Sequence, residues 1–93
     1  MKIVFKDTFI NRLENQLDYI SLDSPKRARK FQTDLFRRIK EIPDKPFRYR
    51  KSIYFKDELI RDLVFKGYTI VFRINENTIE IFGFVKFQNK PTD

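Results

Sequence analysis

Apolar positions change period along this chain, and the change divides it into elements. Phe9, Leu13, Leu17 and Ile20 recur every three or four residues, with Ile10 alongside, while Asn11, Arg12, Glu14, Asn15 and Asp18 fill the remaining positions. That spacing predicts a helix with one buried side. Asp7 or Thr8 is placed to cap it, and it is expected to end near Ser21-Leu22. A second stripe follows: Ala28, Phe31, Leu35, Ile39 and Ile42, with Phe36 beside it. Ser24 before Pro25 marks its start, because proline at the first helical position lacks an amide that would be unpaired there anyway. Pro43 and Pro46 stop it. Only about three residues separate the two stripes, so the helices are expected to form an antiparallel hairpin.

From Ile60 the period shortens. Residues 60–85 read IRDLVFKGYTIVFRINENTIEIFGFV, three runs of β-favouring residues broken at Lys66-Gly67 and at Asn75-Glu76-Asn77. Such short breaks suit tight turns, so the runs predict a three-stranded antiparallel meander. Gly67 fits a turn position that needs positive φ, and Gly83 marks a bulge or a close backbone approach. Lys2 to Lys6 alternates weakly and reads as a short strand ahead of the helices. The predicted fold is α+β, in the order β-α-α-β-β-β, with an N-terminal helical hairpin packed on a C-terminal antiparallel meander sheet. In the last run Ile79, Ile81, Gly83 and Val85 alternate with Glu80, Phe82, Phe84 and Lys86. Neither set is polar throughout, so the sheet carries apolar side chains on both faces. One face covers the helices. The other is either covered by residues 43–57 or left for a partner. Within that connection, Ile53-Tyr54-Phe55 is expected to form a short edge strand or to pack on the core.

Composition narrows the chemistry. Ninety-three residues, 41% of them hydrophobic and eleven of them Phe, suffice for one domain spanning 1–93. Cys and His are both absent, which removes thiolate sites and the commonest general base and metal ligand. Ser occurs only at 21, 24 and 52, and the two glycines make no phosphate loop. A nucleophilic triad is excluded, no catalytic residue is assigned, and no cofactor or metal is expected. Asp57, Glu58 and Asp62 are the one acidic cluster near a strand, read as solvated side chains more readily than as a cation site. The N-terminus lacks the length and flanks of a signal peptide, no apolar stretch reaches the length of a membrane span, and a cytoplasmic location is expected.

Charge is unevenly placed. The chain carries a net +7, yet residues 24–56 hold twelve Lys or Arg and only three acids, while the segments before and after are each close to neutral. Such a surface attracts a nucleic acid, an acidic protein or an acidic membrane, or it simply solubilises a helix. Downstream of the second helix, Arg48, Tyr49, Arg50, Lys51, Tyr54 and Lys56 interleave cations with rings, a mixture suited to phosphates and bases and equally to an acidic peptide.

One stretch carries a family resemblance. Arg61-Asp62-Leu63-Val64, a short turn, Tyr68 and then Ile70-Val71-Phe72-Arg73 resemble a segment typical of the RelE/ParE superfamily of type II toxins. Leu17-Asp18-Tyr19-Ile20 followed by Ser24-Pro25 and Ala28 is similar to that superfamily's helical hairpin, and Phe84, Gln88, Asn89 and Pro91 to its last strand and tail. The resemblance implies a small basic toxin neutralised by an acidic antitoxin protein wrapped around it. It leaves two kinds of target. RelE-like members cleave mRNA on the ribosome with Lys, Arg and often Tyr or His, whereas ParE-like members poison DNA gyrase. Positions where RelE-like enzymes place basic residues hold Ile60, Asp62 and Thr69 here, and no Tyr or His stands near Lys86 and Phe87. An apolar side chain and a carboxylate cannot neutralise a scissile phosphate. The ParE-like branch is therefore the expected one, with Arg48, Arg50, Lys51, Tyr54, Arg61, Arg73 and Lys86 contacting target or antitoxin. The alternatives are a ribosome-dependent endoribonuclease using Lys51, Arg61, Arg73 and Lys86, and a non-toxic relative that only binds its antitoxin. Arg61 could instead serve structure, through a cross-strand salt bridge to Glu80.

Overall fold

In a computed structural model, residues 1–86 are described; the expectations placed on Phe87, Gln88, Asn89 and Pro91 lie outside them. A strand β1 (Lys2–Phe5) leads into helices α1 (Asp7–Asp23) and α2 (Pro25–Lys40), and two short 3-10 turns (Ile42–Asp44 and Pro46–Arg48) follow. Then come β2 (Arg50–Lys51), β3 (Ile60–Phe65), β4 (Tyr68–Ile74) and β5 (Thr78–Lys86). The meander is present and is widened on both sides into a five-stranded sheet of order β1-β5-β4-β3-β2, in which β1 runs parallel to β5 and the other pairs are antiparallel. The expected α+β order therefore holds, with β2 added before the meander.

The hairpin is tighter than its sequence suggests. Ser24 alone separates the helices and serves both: its amide donates to the Ile20 carbonyl at 2.9 Å, and its Oγ accepts the Arg27 amide at 3.1 Å. Neither Asp7 nor Thr8 caps α1. Lys6 occupies the cap position without a side-chain bond, and Asp7 is the first helical residue, where its charge favours the positive helix end.

The two apolar stripes bury themselves against one face of the sheet. Phe9 and Leu13 from α1 and Ala28, Phe31, Leu35 and Ile39 from α2 are buried. They meet Leu63, Phe65, Tyr68, Ile70, Phe72, Ile74, Ile79, Ile81 and Phe84. Tyr68 stacks on Phe84 with ring centres 5.0 Å apart and takes Phe31 edge-on at 5.2 Å. Burial pushes its phenol above the ordinary range.

Simple alternation misassigns the end of β5. Val71 pairs with Gly83 but Phe72 pairs with Ile81, so Phe82 is extra. The bulge shifts the phase of the strand, and Phe84 joins Ile79 and Ile81 on the helix side rather than sharing a face with Phe82. Gly83 lies at that point because a Cβ there would stand 2.8 Å from Val71 Cβ.

At the other end of the sheet, Lys66 and Gly67 both have positive φ, +47° and +82°, as mirror-image hairpin turns require. Lys66 reaches back to Asp34 on α2, whose carboxylate also takes Lys30 and Arg37. These partners, Lys30 first, hold the Asp34 carboxyl below the usual carboxylate range. A depressed folded value stabilises the protein above the ordinary carboxylate pKa, and the contribution is lost as pH falls through the lowered one. Thermal melts of the protein and of Asp34→Asn should therefore differ near neutrality and begin to converge only as pH falls below about 4. A gap that persists in strong acid would contradict the assignment.

Candidate functional site

The connection between α2 and β3 carries most of the expected contact residues, and four side chains from the sheet region pin it down. Arg61 is the principal clamp. Its Nε donates to the Glu58 carbonyl at 2.8 Å, and its Nη1 donates to the carbonyls of Tyr49 at 3.0 Å and Phe47 at 3.3 Å. The guanidinium lies 5.0 Å from the Phe47 ring centre. Arg61 thus does serve structure, but through backbone carbonyls of the connection rather than through Glu80. Tyr49 in turn sets its ring edge-on to Phe72 at 5.6 Å, which joins the connection to the core.

Arg73 holds the far end. Its Nη1 lies 3.2 Å from Asp57 Oδ2, and Asp57 Oδ1 accepts the Leu59 amide at 2.9 Å. Asp57 is thereby fixed as the start of a turn that delivers the chain into β3.

Asp62 is the third tie, and it departs from the expectation of a solvated acid. Its side chain is fully buried on the sheet face opposite the helices, where it pairs across to Val71. Oδ2 accepts the Ile53 amide at 3.1 Å and faces Arg50 at 3.2 to 3.3 Å. Ser52, also buried, is the fourth tie: its amide donates to the Ile60 carbonyl, and its Oγ accepts the Tyr54 amide at 3.2 Å. The acidic cluster is thus dispersed: Asp57 to Arg73, Asp62 to Arg50, and exposed Glu58 to Lys51 at 3.9 Å.

The Asp62, Ser52 and Arg73 ties fold residues 52–57 across the second face of the sheet, while Arg61 holds Phe47 and Tyr49 on the helix side. Ile60, Asp62 and Val71 are buried there, although the helices lie on the opposite side. Phe55 meets the bulge residue Phe82 edge-on at 5.6 Å. The loop therefore covers the middle of that face and presents apolar side chains of its own. Ile53, Tyr54 and Phe55 neither form an edge strand nor enter the core; β2 is made by Arg50 and Lys51 instead. They stand 67%, 45% and 46% exposed, with Leu59, Val64 and Phe47 also in solvent and Lys51 and Lys56 beside them. The result is an apolar and aromatic patch with a cationic border, built on a braced backbone.

Arg48, in the second 3-10 turn, lies 5.6 Å from the Tyr49 ring centre, and with Arg50, Lys51, Tyr54, Arg61 and Arg73 it belongs to this end of the sheet. Lys86 does not. It pairs with Tyr68 beside the Lys66-Gly67 turn and lies 5.7 Å from the Tyr19 ring centre. Five residue steps along β4 separate Tyr68 from Arg73, about 17 Å at roughly 3.3 Å per residue. Ile53 and Phe55, expected in an edge strand or the core, and Leu59 lie outside the interleaved cations and rings. Their signal was an apolar run too short and too irregular for a buried strand.

Removing the Asp62 carboxylate should loosen this loop. In Asp62→Ala the Ile53 amide loses its acceptor, and a buried donor left unpaired costs about 1–3 kcal/mol. Hydrogen exchange at the Ile53 and Tyr54 amides should quicken well before the meander amides respond. Uniform acceleration across the sheet would show that Asp62 serves global stability instead.

Comparison with known proteins agrees with this architecture. A family model described as the ParE toxin of the type II toxin–antitoxin system parDE matches residues 3–86, and the chain belongs to that family. No curated protein matches the chain. Among solved structures, the chromosomal ParDE toxin–antitoxin system from P. aeruginosa contains a similar fold. It superposes with a TM-score of 0.77 at 18% identity and covers 95% of this chain and 97% of that one.

Proposed function

We propose that this toxin acts by binding, and that DNA gyrase is the target it inhibits in the cytoplasm. The observation that carries the reading is the braced loop: Ile53, Tyr54 and Phe55 project from a backbone that Arg61, Arg73, Asp62 and Ser52 hold in place. Rigid exposed aromatics lose little conformational freedom when a partner covers them, and such side chains supply most interface energy. Tyr54, Arg48, Arg50 and Lys51 lie on or beside this patch and would contact the target directly. Arg61 and Arg73 would act through the loop they hold.

The separation of the cations also weighs against a nuclease. Lys51, Arg61, Arg73 and Lys86 would have to converge on one phosphate, yet Lys86 lies at the opposite end of the sheet and both guanidiniums already have partners. Stabilising a transition state needs donors aimed at a single developing charge.

The cognate antitoxin would be an acidic protein. An apolar cleft of about 200 Å³ between β1, α1 and α2, lined by Phe5, Phe9, Ile10, Leu13, Leu17 and Phe36, offers it a docking trough away from the loop. Induction in cells tests the toxin reading. Growth arrest is expected, relieved by co-expression of the cognate acidic antitoxin, with no codon-linked cuts in translated mRNA. Such cuts, seen by primer extension, would replace gyrase with the ribosome, and unimpaired growth would indicate a non-toxic relative.

A further inference from the structure

The outward face of α2 differs in kind from the loop patch. Lys26, Arg29, Lys30, Thr33, Arg37 and Lys40 are all exposed, and helical spacing places them in one strip opposite the buried Phe31, Leu35 and Ile39. The strip runs about 21 Å from Lys26 to Lys40, at roughly 1.5 Å per residue. Lys30 and Arg37 share Asp34, whereas Lys26, Arg29 and Lys40 have no ion pair among the described residues. Helix stability accounts only for the C-terminal part of this arrangement, since Arg37 and Lys40 in the last turn suit the negative end of the helix dipole. The first turn of α2 has no acid, and cations there oppose the positive end of the helix dipole.

We propose that this face binds the phosphate backbone of double-stranded DNA. Five cations and a hydroxyl with no apolar residue among them suit phosphates. A membrane surface would require exposed apolar side chains among the basic ones, whereas the apolar residue at the edge of this strip, Phe36, is half-buried and packs on Phe5. A protein partner would need an apolar centre, which the loop patch has and this strip lacks. An α-helix also fits the major groove of B-form DNA, between two rows of phosphates, and not the deep, narrow groove of an RNA duplex. The inference rests on the strip and is independent of which enzyme the toxin inhibits.

Fluorescence anisotropy with a labelled 20-base-pair DNA duplex and the purified protein, without gyrase, tests it. If Lys26, Arg29 and Lys40 each neutralise a phosphate, they alone make binding weaken about 40-fold between 50 and 200 mM salt. The variant Lys26→Gln/Arg29→Gln/Lys40→Gln should flatten the slope of log affinity against log salt by about 2.7 and bind at least about tenfold more weakly at 50 mM. Lys2→Gln/Lys6→Gln/Arg12→Gln removes the same charge from outside the strip and should change affinity by less than about threefold. Thr33→Glu, a single exposed substitution, should weaken binding in the same direction as the triple variant. Equal losses in the two triple variants, an unchanged salt slope, or tighter binding to an RNA duplex or to phosphatidylglycerol vesicles would overturn the proposal.

Discussion

Replacing Tyr54 and Phe55 together with alanine is expected to weaken the proposed inhibition of gyrase by several hundred-fold, because buried aromatic anchors at an interface each contribute about 2 kcal/mol or more. The two rings are presented by a loop whose backbone is tied at Ser52, Ile53, Asp57 and Leu59, so shortening them leaves those ties in place. Phe55 touches Phe82 on the outer face and is not among the core residues. The fold and the affinity for antitoxin, measured by circular dichroism and by titration, should therefore survive. Undiminished inhibition by a folded double variant would remove the loop from the target interface. Loss of antitoxin affinity alongside inhibition would mean that both partners use the same patch.

The second large effect is on stability. Gly83→Val should lower it by about 3 kcal/mol, the upper end of the usual cost of inserting volume into a packed site. For a domain of this size that is a fall of roughly 12–24 °C in melting temperature. A Cβ at residue 83 would lie 2.8 Å from Val71 Cβ and 3.0 Å from Val71 Cγ2, and Val71 is 2% exposed, so it has little room to yield. Gly67 offers the contrast. Nothing lies within 4 Å of a Cβ built there, so Gly67→Ala meets only the strain of positive φ, about 1–2 kcal/mol. Thermal melts should rank the two variants clearly. A Gly83→Val protein that melts with the parent would mean that the strand pair opens freely around the bulge.

The two glycines also mark what was legible in the sequence. Gly67 could be read locally, because a short break between apolar runs calls for a residue that tolerates positive φ. The helix stripes, the Ser24 cap and the order of the elements were legible for the same reason, since each depends on neighbours within one or two turns. The bulge at Phe82 was only half legible. Gly83 hinted at an irregularity, but which residue is extra follows from pairing with β4, and that pairing shifted Phe84 into the core.

Among the proposed contact residues the same limit applies. Their types could be chosen from the sequence, but their partners lie far along the chain. Arg61 reaches carbonyls at residues 47 and 49, Arg73 reaches Asp57, and Asp62 reaches back to Arg50 and Ile53. Those long-range ties make Arg61 and Arg73 supports of the loop, and they leave Ile53 and Phe55, expected in an edge strand or the core, in solvent.

The most direct test of a toxin that works by occupying its target is a supercoiling assay with purified gyrase, relaxed plasmid and increasing amounts of this protein. Supercoiling should fall with dose, cleaved DNA trapped on gyrase should accumulate, and pre-incubation with the antitoxin should abolish both effects. Full supercoiling at every dose, with no trapped cleavage complex, would contradict the account.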